Sequence, residues 1–205
     1  KTKYLGLELK NPIIIGASNL VADIKMLKKL EAAGASAIVY KSLFEEQIQL
    51  ENLEMHELQS EYEERYGEST TMFQSDLYEA SPNEFLMHFK EAKEALSIPL
   101  IASLNAVNDD TWYEWAKKLE EAGADALELN FYNNTREFEM EGKSIVQEEL
   151  DIIEGVKKVV KIPVSVKLSP FYTNPLYVIN EMDKKGTDGF VLFNKLFQPD
   201  INIEP

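Results

Sequence analysis

Six short apolar runs punctuate the chain, at residues 13–17, 37–40, 100–104, 126–129, 164–168 and 190–193. Most of their positions are apolar, as expected for strands covered on both faces. Between them the pattern predicts amphipathic helices over 23–33, 82–96, 109–122, 144–160 and 175–185. Three of these units repeat: 28–41, 117–130 and 180–194 each read as the end of a helix, a glycine, and a strand. Gly34, Gly123 and Gly186 stand where a helix C-cap takes a left-handed conformation. The third copy has one more residue between its glycine and the polar end of its strand. Pro99 and Pro163 open two of the strands, where a proline ends a helix without breaking a ladder. Ahead of the first unit, residues 4–12 alternate apolar and polar and predict a β-hairpin under the sheet.

Strands alternating with helices mean βα units and a parallel sheet. No glycine-rich dinucleotide fingerprint follows any strand, which favours a (β/α)8 barrel over a doubly wound sheet. Six strands are two short of that number, so the expectation is a barrel whose last two βα units are missing from this sequence. Four of the strands run into a single polar side chain, Lys41, Asn130, Lys167 and Asn194. Ligands of parallel α/β folds sit at the carboxyl ends of the strands, so these four predict one polar ring around one ligand.

Length and composition narrow the classes. The 205 residues suit a single domain, 1–205. No apolar run approaches the ~18 residues of a membrane span, and 1–10 reads as structure rather than as a signal peptide. The absence of cysteine removes disulfides, thiolate metal sites and a cysteine nucleophile, and fits a reducing, cytoplasmic setting. A net charge of −15 argues against nucleic acid and anionic membrane as partners. The acidity is concentrated: residues 43–80 hold eleven Asp and Glu against one basic residue, Arg65. Phe44, Ile48, Met55, Leu58, Tyr62 and Tyr66 are spaced within that stretch as one face of a helix, so 43–80 reads as an acidic helical insertion. His56 and His88 are the only histidines, both on predicted helices, and no metal site is expected.

With its strand ends laid out, the sequence resembles the dihydroorotate dehydrogenase family of FMN-dependent (β/α)8 barrels. The resemblance is carried by Leu5-Gly-Leu-Glu-Leu-Lys-Asn-Pro-Ile-Ile-Ile-Gly-Ala-Ser18, Lys41-Ser42, Glu128-Leu-Asn130, Val166-Lys-Leu-Ser-Pro170 and Asn194. It implies FMN as cofactor, with Ala17, Ser18, Lys41, Ser42, Asn105, Asn130 and Lys167 around it. Lys41, Asn130, Asn133 and Asn194 would then hold a small substrate. By family and pathway it implies oxidation of dihydroorotate in pyrimidine biosynthesis. Physical chemistry supports these roles. A fixed lysine near N1 stabilises a reduced flavin, and an amide offers both a donor and an acceptor to an imide-like ring edge.

The departures bear on chemistry. After the fourth strand the soluble class of the family reads Asn-x-Ser-Cys-Pro-Asn, with the cysteine as base. Here the segment is Asn130-Phe-Tyr-Asn-Asn-Thr135, so Asn133 stands at the base position, and an amide cannot take a proton. Tyr132 is the nearest ionisable neighbour. The family's substrate loop after strand two is replaced by the acidic insertion, which suggests a changed substrate. The leading expectation is an FMN-dependent oxidoreductase passing hydride between a small, planar, pyrimidine-like molecule and flavin N5, as a monomer or a homodimer. Two alternatives stand beside it. One is a flavoprotein without dihydroorotate activity that acts on another substrate or as a binding protein. The other is a phosphate-sugar isomerase or aldolase using Lys41 or Lys167. The phosphate half of the cofactor site is expected beyond residue 205, in loops after strands seven and eight.

Overall fold

The computed structural model describes residues 1–44, 82–105, 108–131 and 141–194. The strands are β1 (Thr2–Tyr4), β2 (Leu7–Leu9), β3 (Ile14–Ile15), β4 (Ala37–Val39), β5 (Leu43–Phe44), β6 (Leu100–Asn105), β7 (Ala126–Asn130), β8 (Val164–Leu168) and β9 (Gly189–Leu192). The helices are α1 (Ile24–Ala32), α2 (Pro82–Ala95), α3 (Asp109–Glu121), α4 (Gly142–Val159) and α5 (Pro175–Lys184). β1 and β2 form the expected hairpin, turning through Leu5 and Gly6 at positive φ.

The larger sheet is parallel and ordered β3-β4-β6-β7-β8-β9, with β5 also on β6. Each strand lies beside its predecessor, with no reversal of the kind that marks a doubly wound sheet. The sheet faces differ as barrel winding requires. Leu27, Phe89, Trp112, Leu119, Ile153 and Met182 of the helices pack with Ile38, Leu100, Leu104, Leu127 and Leu129 on the outer face. On the inner face a small cluster joins Val39, Ile101 and Ala126 to Leu5 of the hairpin. The hairpin therefore plugs the amino-terminal end of a partial barrel. Gly189 makes room for it, since a Cβ there would lie 2.7 Å from Leu5 Cδ2.

The three glycines end α1, α3 and α5 in the same way. Gly34, Gly123 and Gly186 have φ of 107°, 96° and 90°. The amide beyond each one reaches back into the last turn, Ala35 to Leu30, Ala124 to Leu119 and Thr187 to Met182, the double bond of a Schellman motif. Two residues after the glycine comes a clamp. Asp125 accepts from the Leu100 amide (2.7 Å) and from Lys93 Nζ (2.6 Å). Asp188 repeats this with the Val164 amide (2.8 Å) and Lys157 Nζ (2.6 Å). In the first copy Ser36 Oγ donates to Ile13 O at 2.7 Å. Each unit is thus pinned to the foot of the strand before it.

One boundary changes. Leu43 and Phe44, read from the sequence as the start of the acidic insertion, are a strand that pairs with Leu104 and Asn105. Phe44 therefore does not belong to a helix face; parallel pairing to β6 captures it instead. The rest of the insertion, with Arg65 and His56, lies outside the described residues. The rings of Trp112 and Trp115, on one face of α3, are buried in the core, 1% and 4% exposed.

Candidate functional site

Alternation along the strands decides which side chains reach the inner face. Ala126 lies inside and Leu127 and Leu129 outside, so Glu128 and Asn130 face inward. The same count from Ile101 brings Ser103 and Asn105 inward. Pairing of Glu128 with Ser165 and of Asn130 with Lys167 adds the side chains of β8.

The second strand reaches the site through a bulge. Val39 pairs with Ile101 and Leu43 with Leu104. Four residues on one strand therefore span three on its neighbour, and the extra residue falls within 40–42. Tyr40 points outward, against the rings of Phe85 and Phe89 at 5.5 and 5.3 Å. Lys41 follows on the inner side by alternation, and Ser42 is there too, its Oγ 2.7 Å from Ser103 Oγ. A bulge lets two consecutive residues serve one face, which is how the Lys41-Ser42 pair can do so.

Across the inner face runs a polar chain. Ser42 Oγ meets Ser103 Oγ, Ser103 Oγ reaches Glu128 Oε1 at 3.5 Å, and Lys167 Nζ lies 3.7 Å from the same oxygen. Burial pushes the Glu128 carboxyl above its usual range, and the Lys167 charge and Ser103 hydrogen bond pull it back only in part. The side chain of Lys167 is 20% exposed against 5% for that of Glu128. One end of this pair is sealed in the barrel and the other is presented at the strand ends.

Beside it, two amides meet. Asn194 Nδ2 donates to Asn130 Oδ1 at 2.6 Å and lies 3.4 Å from Phe131 O. The extra residue of the third repeat does not take Asn194 out of the ring, because its own amide bonds Leu168 O at 2.8 Å. The pair leaves Asn130 Nδ2 with donor capacity and Asn194 Oδ1 with acceptor capacity. Such an edge suits a planar ring with adjacent N–H and C=O groups.

The structure thus gathers Lys41, Ser42, Asn105, Asn130, Lys167 and Asn194 at one end of one sheet. Ala17 and Ser18 follow β3 at the same end, Ser18 leading into a single 3-10 turn over Asn19–Val21. Asn133 and Tyr132 lie outside the described residues. His88 sits on the side of α2, 4.0 Å from Glu84, away from the ring. Among the described residues no group of acidic or histidine side chains could hold a metal, and no helix is long and apolar enough to cross a membrane. Sequence reading missed Glu128 as a site residue. Its signal was a charge at an inward position of an otherwise apolar strand.

No protein-family model matches the chain. Relatives are found among archaeal proteins named dihydroorotate dehydrogenase B (NAD(+)), catalytic subunit. That of Thermoplasma volcanium is 30% identical over 98% of this chain and 64% of its own length. That of Methanocaldococcus jannaschii is 28% identical over 95% and 62%, and that of Methanocella arvoryzae 30% over 97% and 62%. The chain spans a little under two thirds of each of these relatives. Among solved structures, a phosphonopyruvate hydrolase in complex with oxalate and Mg++ superposes with a TM-score of 0.56 at 15% identity, over 89% of this chain and 59% of that one. A putative dihydrodipicolinate synthetase from Pseudomonas aeruginosa gives 0.53 at 13%, over 86% and 53%. At those identities the likeness concerns the fold alone.

Proposed function

The chain is a divergent relative of the dihydroorotate dehydrogenases, and from that premise we propose that its barrel serves an FMN-dependent oxidoreductase acting on a small planar substrate. The observation that carries this reading is the donor set at the strand ends. Two lysines, a serine hydroxyl and three amides converge there, with a buried carboxylate behind Lys167. Their chemistry fits a flavin ring, whose N1–O2 edge takes positive charge and whose N3–O4 edge takes amides. When bound, FMN would supply a two-electron acceptor at N5. Lys167, Ser42, Asn105 and the backbone at Ala17 and Ser18 would hold it.

The remaining residues do the work of orientation. The Asn130–Asn194 edge would align a ring bearing adjacent N–H and C=O groups, and Lys41, on the inner face beside Ser42, would take its negative end. Asn133 cannot accept a proton, so the reading favours a substrate other than dihydroorotate, or a proton acceptor other than the family's own. The test is an absorption spectrum of the purified protein after incubation with FMN. A flavin spectrum that stays with the protein through gel filtration supports the reading, and a colourless protein removes it. Anaerobic addition of dihydroorotate then separates the substrates: bleaching establishes the family's own reaction, and an unbleached flavin sends the search to other reduced pyrimidines. Lys167→Ala should weaken FMN binding at least tenfold. Full FMN occupancy in that variant, with an unchanged potential, would show that Lys167 has another role.

A further inference from the structure

A concavity lies between the start of α4, the loop after β8 and the start of α5. It has a volume of about 440 Å³, in the range of small-molecule sites. Phe131, Phe171, Tyr172 and Tyr177 contribute aromatic wall, and Glu149 of α4 contributes a carboxyl. Phe171 and Tyr177 are 68% and 57% exposed, so the wall stands open to solvent.

Glu149 is the unusual member, being only 4% exposed. The Tyr172 hydroxyl lies 2.8 Å from both of its oxygens. One O–H shared between two oxygens leaves most of the acceptor capacity of a carboxylate unused. Among the described residues no hydrogen bond or ion pair brings a cation to it. Lys143 lines the same cavity but is exposed and unpaired with Glu149, while Glu148 adds further negative charge. Burial pushes the Glu149 carboxyl up to about 7, against the pull of the tyrosine. A buried carboxylate with spare lone pairs costs free energy until a charge meets it. Aromatic faces attract the same kind of charge, and a net charge of −15 draws cations toward the molecule.

We propose that this cavity binds a small organic cation, a primary ammonium on an apolar stem, with Glu149 taking the charge and the Phe and Tyr rings enclosing the stem. The site touches the ring at the strand ends only through Phe131, whose carbonyl lies 3.4 Å from Asn194 Nδ2, and it does not depend on the flavin reading.

Phenethylamine and its neutral counterpart, phenethyl alcohol, test this by isothermal titration calorimetry on the whole chain at pH 8. There Glu149 is ionised and the amine protonated. The amine should bind at least tenfold more tightly than the alcohol, and lose most of that advantage at pH 5.5. Lys143, Tyr172 and Tyr177 are the other titratable groups that line the cavity, and Glu148 is the charged neighbour of Glu149 on α4. Glu149→Gln tests whether the change with pH belongs to Glu149. That variant should lower the preference for amine to under twofold, whereas Tyr172→Phe should keep it. Equal binding of amine and alcohol to the wild-type protein, or no binding of either, would overturn the proposal whether or not the variants fold. Retention of the preference in Glu149→Gln, or ligand contacts in NMR that fall away from the Phe171 and Tyr172 rings, would overturn it as well.

Discussion

Glu128 sits between two leucines that face the helices, and Lys167 is the cation beside it. Removing the lysine strands a buried negative charge, which costs more than the pair itself contributes. Lys167→Met should therefore lower unfolding free energy by about 2 kcal/mol, and adding Glu128→Gln should restore most of it. Urea denaturation of the two single variants and the double variant checks this, and simple additivity would show that the two groups do not couple. Glu149 gives a second prediction, in pH. It keeps its proton to about pH 7 when folded and loses it near 4.5 when unfolded. Between those values the native state holds more protons than the unfolded state, so its contribution to stability is lost as pH rises through the window. Relative to Glu149→Gln, the wild-type protein should lose about 3 kcal/mol from pH 4.5 to 7, read from denaturation at each pH. Parallel curves for the two proteins would mean the carboxyl is not buried as described. Neither glutamate was legible as a site residue. A strand or helix pattern shows that a charge faces inward, but not which group on another element answers it.

At the level of the element, the repeat was the clearest signal in the chain. All three glycines cap as read, because the left-handed conformation is a local demand that sequence states directly. The clamps two residues later were not read, since their partners lie about 25 residues back, on the strand before. Asp125→Ala should free the Leu100 amide and Lys93 together, at a cost of about 2 kcal/mol. Its signature would be faster hydrogen exchange at Leu100 and its neighbours in β6. Exchange that rises equally over the whole sheet would indicate a general loss instead. Strand β5 escaped the reading for a related reason: two residues have no period of their own, and only β6 assigns them to the sheet.

The whole molecule was legible as a winding: strands in sequence order, helices on one side, a hairpin at the foot. Gly189 is where the hairpin and the sheet constrain each other. Gly189→Ala would bring a methyl to 2.7 Å from Leu5 Cδ2 and 3.2 Å from Tyr4 Cε2. It should destabilise by about 1–2 kcal/mol, with Leu5→Ala relieving part of the cost in a thermal melt. No relief would place the strain elsewhere. Most of the ring was also legible, because polar ends of apolar runs must converge once the strands are parallel neighbours. The bulge at 40–42 was not, and it changes what the site can tolerate over evolution. It sets the alternation of the second strand, so that Leu43 joins the outer core after Val39 has faced inward. Substitutions at Lys41 or Ser42 can exchange one chemistry for another and leave the sheet intact. Loss of a single residue there would instead shift every following side chain to the opposite face, emptying an outer core position and filling the ligand end with an apolar one. Divergence at this corner of the site is therefore open to changes of letter and closed to changes of length.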